Sequence, residues 1–147
     1  MYTKSNVSVV GTPRVVLTDK FGNVKQDFSV PNRVVTVGKG FIASRMVGTS
    51  SAVMSHMAVG SGTTAAADGD TALQSELARV ALTSATTVGA VTTYVATFVA
   101  GVGTGAITEA GIFNASSAGV MLCRTTFLVV NKGADDTMSI TWTVTIQ

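Results

Sequence analysis

Residues 91–99 are branched, aromatic or small in unbroken succession, and a period of two sorts them into two faces. Val91, Thr93, Val95, Thr97 and Val99 share one face, and Thr92, Tyr94, Ala96 and Phe98 share the other. Such side chains fit a pleated, half-buried surface, so the segment predicts a long strand. Similar runs at residues 107–114, 120–130 and 137–146 predict further strands, separated by loops at 115–119 and 131–136. Near the N-terminus residues 6–10 alternate, Gly11-Thr12-Pro13 predicts a turn, and residues 14–19 and 24–30 predict a hairpin around Lys20-Phe21-Gly22-Asn23. Pro31-Asn32 ends that hairpin, and the apolar, β-branched residues 33–37 follow it. Residues 53–59 (VMSHMAV) predict a buried strand.

Two segments carry helical signals. Residues 38–46 (GKGFIASRM) are compatible with a short helix that brings Phe41, Ile42 and Met46 to one face. Residues 70–79 begin with Asp70, space Thr71 and Gln74 as a capping box, and set Leu73 and Leu77 at i, i+4, which predicts a second helix of about two turns. The small-residue stretch 60–69 reads as a loop. Many short strands with polar and glycine-rich turns predict a mainly β fold: an antiparallel β-sandwich, jelly-roll-like, with one or two short helices. The expected organisation is an arm or hairpin over residues 1–30 and a sandwich domain over residues 31–147.

Charge sharpens this picture. Between Arg79 and Glu109 lie 29 residues with no ionisable side chain except Tyr94. Eight Thr and four Gly interrupt that run, so it does not read as a membrane span. It reads as β-structure covered by neighbours. Charged residues make up only 12% of the chain, about half the share of an ordinary soluble domain. A mean hydropathy of +0.44 points the same way, toward a subunit with large buried contacts rather than a free monomer. A net charge of +2, without any cluster of Lys or Arg, gives no footprint for nucleic acid. Cys123 is the single cysteine, which rules out an internal disulfide, and the N-terminal residues lack the apolar core of a secretory signal. Synthesis in a reducing cytosol is the expectation.

Candidate chemistry is sparse. His56 is the lone histidine and sits in an apolar run, so a packed or interface role fits it better than metal ligation. Asp68-Gly69-Asp70 lacks the remaining oxygen ligands of a calcium loop and reads as an acidic turn, and Asp135-Asp136 reads as a solvated turn. Gly101, Gly103 and Gly105 precede a strand-like segment rather than a helix, which fits a hairpin loop and not a dinucleotide site. Glu109 stands out because it ends the uncharged run among apolar neighbours. A buried carboxylate is costly unless paired. Arg124 is its candidate cross-strand partner and Arg79 a second candidate, in a structural or subunit-locking salt bridge rather than a catalytic pair. No acid–base pair, cofactor motif or metal constellation emerges, so an enzyme is not expected.

Several segments taken in order carry a resemblance. They are NRVVTVG at 32–38, MAVGSGTTA at 57–65, DTAL at 70–73 with ELAR at 76–79, ITEAGIF at 107–113, MLCRTTF at 121–127 and ITWTV at 140–144. This order resembles a group of small virion structural proteins of tailed bacteriophages, over about residues 30–147. The resemblance implies a β-sandwich that works by assembling on the particle, as capsid decoration (cement) proteins do when they bind the major capsid protein lattice. It implies a homo-oligomer, with trimers common, on the capsid surface after synthesis in the host cytoplasm, with neither nucleic acid nor membrane as partner. A tail fibre or tail-tip module for receptor binding is the alternative. That role predicts aromatics exposed on loops, whereas Tyr94, Phe98, Phe113, Phe127 and Trp142 fall in expected strands.

Overall fold

The computed structural model describes residues 6–49 and 51–147. Among the described residues ten strands and one helix form two antiparallel sheets of five strands, stacked as a β-sandwich. The first sheet has the order β2 (Val24–Ser29), β1 (Val9–Thr18), β10 (Thr137–Ile146), β7 (Val91–Phe98), β6 (Ser84–Val88). The second has the order β3 (Arg33–Val34), β9 (Met121–Lys132), β8 (Gly105–Phe113), β4 (His56–Gly60), β5 (Glu76–Ala81). None of the described helices is long and apolar enough to cross a membrane.

The period of two does what the sequence predicts for the central strands. Along β10, Met138, Ile140, Trp142 and Val144 are buried, while the Ser and Thr residues between them face outward. On β7 the face of Thr92, Tyr94, Ala96 and Phe98 turns inward, with Ala96 and Phe98 fully buried. These side chains meet Met57, Val59, Ile107, Ala110, Ile112 and Val130 of the second sheet in one core. A second, smaller cluster of Val35, Ala58, Leu73, Phe113 and Met121 joins residue 73 of the loop 61–75 to the second sheet.

Residues 9–29 are built into the first sheet. β1 lies between β2 and β10 and pairs with β10 from Val9↔Ile146 to Thr18↔Thr137. The expected turn at Gly11-Thr12-Pro13 is instead continuous strand. Pro13 is tolerated because its missing N–H falls on the β2 side, where that ladder runs out: the Pro13 carbonyl accepts from Val30 N, one residue beyond β2. Gly11 has a different reason, since a Cβ there would collide with the Asn32 side chain.

The helix α1 (Thr36–Arg45) replaces the end of the strand expected at 33–37. It packs against β9, and Gly38 permits the approach, because a Cβ there would run into the Leu122 carbonyl. Phe41 and Ile42 reach the main core, but Met46 is exposed and does not join their face. The second expected helix is absent: from Glu76 onward that segment belongs to β5, paired with β4. Leu73 is buried and Leu77 is exposed, so the i, i+4 pair never forms one face. The expected strand at 53–59 begins only at His56, and Val53 is exposed. Gly101, Gly103 and Gly105 do not close a hairpin. They carry the chain from β7 in one sheet to β8 in the other, all three with positive φ.

Candidate functional site

Glu109 and Arg124 come together as the strand register dictates. Glu109 on β8 faces Thr126 of β9, and Gly111, two residues on, faces Arg124, so the two charged side chains are diagonal neighbours on one face. Arg124 donates through Nε to Glu109 Oε2 (3.0 Å), and its Nη2 lies 2.9 Å from the same oxygen as an ion-pair contact. Both residues are buried, Glu109 completely and Arg124 with 2% of its surface exposed.

The carboxylate does more than pair with one cation. Its Oε1 accepts the backbone N–H of Gly62 (2.9 Å) and of Ser75 (2.8 Å), and its Oε2 accepts that of Gln74 (3.0 Å). These donors come from the two ends of the loop 61–75, so one carboxylate ties the base of the loop to the sheet. Arg124 holds the middle: Nη1 donates to Asp70 Oδ2 (3.0 Å) and Nη2 to the Thr64 carbonyl (2.9 Å). Around them the neck closes with Ser61 N to Ser75 O (2.9 Å), Thr108 Oγ1 to Gly62 O (2.8 Å), and reciprocal bonds between Thr64 and Gln74. Gly60 and Gly62 must lack side chains here, because a Cβ on either would strike Glu109 Oε1 at 2.6 Å.

Burial pushes the Glu109 carboxyl up, but the amides of Gln74 and Ser75, the Arg124 guanidinium and the Gly62 amide outweigh it and hold it below the usual carboxylate range. With both oxygens fully engaged by donors, Glu109 has no free lone pair for a substrate proton. The arrangement fixes a loop; it is not built for acid–base chemistry.

Arg79, the other candidate partner, serves a different loop. It forms a two-pronged pair with Glu76 (2.7 and 3.2 Å), donates to the carbonyls of Ala115 (3.0 Å) and Ala118 (2.9 Å), and lies 3.8 Å over the Phe113 ring. Asp68 and Asp70 are not calcium ligands in waiting, since Arg33 takes the first and Arg124 the second. Asp136 is buried rather than solvated: it accepts from Lys25 Nζ (2.7 Å) and Gly133 N (2.7 Å). His56 is half-buried with Ser55 Oγ 2.8 Å from its Nδ1. No group of three or more His, Cys, Asp or Glu gathers in metal-binding range among the described residues.

Sequence reasoning found the Glu109–Arg124 pair and missed Asp70 and the loop amides that complete it. The signal was the glycine pair at 60 and 62, whose need for space shows only once Glu109 is placed beside them.

Beyond this latch the notable surface is the outer side of the first sheet. β10, β7 and β6 carry no charged side chain, and exposed apolar groups gather at one end, with Val88 80% exposed and Val10 and Val91 partly so. On the inner side a trench of about 580 Å³ opens between α1 and β6, lined by Phe41, Val53, Met54, Ala85, Thr87 and Tyr94 among others.

Comparison of the chain with protein-family models, with curated proteins and with solved structures returned no match.

Proposed function

We propose that this chain is a structural protein of a tailed-bacteriophage particle, a decoration protein that binds the major capsid protein lattice as a homo-oligomer and stabilises the head. The observation that carries this reading is the charge-free outer half of the first sheet, where three adjacent strands present Ser, Thr and Val to the surface. A free monomer gains nothing from such a face, whereas a subunit seated between neighbours buries it without desolvating charge. The latched loop adds rigidity. A module that clamps a shell must not deform under load, and the buried Glu109–Arg124 pair removes the freedom of a fifteen-residue loop rich in small side chains. Weak contacts repeated over many copies then sum through multivalency.

Tail attachment is the second reading, and one observation favours it. Phe21 stands 79% exposed at the tip of the β1–β2 turn, with Lys20 Nζ 5.3 Å from its ring. That is the exposed loop aromatic a receptor-binding module would use.

Antibody–gold labelling of source particles in negative-stain microscopy separates the two. Gold spread over the head is the expected result. Gold at the tail selects the adsorption role, and unlabelled particles, together with absence of the chain from purified virions by mass spectrometry, end both.

A further inference from the structure

The four edges of the two sheets are protected unequally. The β2 edge carries Lys25 and Asp27, the β5 edge carries Glu76 and Arg79, and β3 is only two residues long. Charge and brevity are the usual devices that stop an edge from pairing with another chain. β6 has neither charge nor proline; its five residues, Ser84–Val88, are all exposed, and the adjacent β7 is uncharged as well.

The register shows which backbone groups are open. β6 and β7 pair from Ser84↔Val95 to Val88↔Val91 across a tight turn in which Gly89 has a φ of 58°. Ala90 accepts from Ile146 on the β10 side, so the odd-numbered residues of β7 serve β6. Ser84, Thr86 and Val88 therefore face β7 with their backbone groups, and Ala85 and Thr87 direct theirs to the empty edge.

We propose that β6 is a self-association edge, on which a second copy of this chain pairs antiparallel, β6 on β6, about a two-fold axis at Thr86. That axis sets Ala85 opposite Thr87 of the partner subunit, and Thr87 opposite the partner's Ala85, so the open groups meet in about four hydrogen bonds. The pairing is isologous and closes on itself. A second copy suits this edge because residues 80–108 carry no charge, so no like charges oppose at the axis; the one charged side chain nearby, Arg45, lies in the trench on the inner side and not on the strand. The trench on the inner side is lined in part by Ala85, Thr86 and Thr87 of this same strand, beside the exposed Val53. A five-residue ladder is small against the ~1,200–2,000 Å² of a standard interface, so the dimer is concentration-dependent. The inference stands independently of any virion role, and a trimer of the kind the resemblance implies would have to use another surface.

Sedimentation velocity on the full chain, from micromolar to near-millimolar, tests it. Wild type shifts from monomer to dimer as concentration rises. Thr86→Lys opposes two like charges at the axis and loses the dimer; mixing it with Thr86→Glu restores a dimer of one copy of each. Ala85→Pro removes an N–H at the open edge, spares the β7 ladder, and also loses the dimer. Wild type that stays monomeric throughout, or a dimer or trimer that both variants leave intact, overturns the proposal. Circular dichroism matching wild type shows that each variant is folded.

Discussion

The loop 61–75 and the β6–β7 hairpin are built from much the same residues, Thr, Ala, Ser and Gly, yet they satisfy their backbones in opposite ways. The loop has no regular neighbour, so its amides and carbonyls turn inward onto Glu109 and Arg124. The hairpin has a regular neighbour on one side only, and its other side is left open without a charge to guard it. The contrast teaches where this chain spends its few charges. A buried ion pair substitutes for a sheet where sheet is lacking, and charge is withheld where a sheet can be continued. It also separates two kinds of consequence: damage to the loop should unfold the protein, and damage to the hairpin edge should leave the fold alone.

The largest effect is expected at the latch. Glu109→Gln leaves the buried Arg124 with only the part-exposed Asp70 as counter-charge, and Arg124→Met leaves the buried Glu109 with backbone amides but no cation. Breaking a buried pair from one side costs about 3–5 kcal/mol, read as a drop in unfolding free energy by urea titration. The double variant should lose less than the sum of the two singles, because it removes both charges at once. Full additivity would mean that the pair is not coupled and the loop is held by other bonds. Next comes Gly60→Ala. Its Cβ would meet the Ser75 carbonyl and Glu109 Oε1, and the wedge should cost about 1–3 kcal/mol while leaving the ion pair in place.

Acid sharpens the same comparison. The Glu109 carboxyl is held below its ordinary value of about 4.3, so on acidification the unfolded chain takes up its proton before the folded chain does. The stability this group supplies is complete above the ordinary value and is lost as pH falls through the lowered one. Asp19, Asp27, Asp68 and Asp136 are also lowered, Asp136 chiefly by its bonds to Lys25 and Gly133, so wild type loses stability from several sources at once. Subtracting the urea profile of Glu109→Gln between pH 7 and pH 3 isolates the latch. The wild-type advantage should shrink toward acid pH; an advantage constant with pH would mean that folding does not shift the Glu109 carboxyl, and one that grows toward acid would mean that the fold holds it protonated.

How much of this was legible in the chain differs between the two regions for a physical reason. The alternation of β7 and β10 was readable because each strand carries its own period of two, a local property. The Glu109–Arg124 pair was also readable, because a lone charge among apolar residues demands a partner wherever it lies. The segment 70–79 was misread as helix because its capping-box spacing and leucine pair are local signals that long-range bonds override. Glu109, far along the chain, takes the amides of Gln74 and Ser75, Gln74 turns its side chain to Thr64 instead of capping, and β4 claims the residues from Glu76 onward. Thr36 and Val37, at the end of the strand expected over 33–37, failed in the reverse sense. Branched residues favour a strand there, but Gly38 lets a helix reach the Leu122 carbonyl, a contact no local pattern records.

The smallest effect on folding belongs to the hairpin. Thr86 sits on the outer face of the edge strand, exposed and cross-strand from Thr93, with its backbone already satisfied by β7. Thr86→Lys removes no buried contact and leaves no polar group unpaired, so at concentrations where the chain is monomeric its unfolding free energy should stay within about 0.5 kcal/mol of wild type. At high concentration the two proteins should part, since only wild type gains stability from association by mass action. A midpoint of thermal unfolding that rises with concentration for wild type and stays flat for Thr86→Lys would give the open edge a thermodynamic consequence of its own. Two flat lines would make β6 an edge with no partner in this chain, and the difference between loop and hairpin would then be one of burial alone.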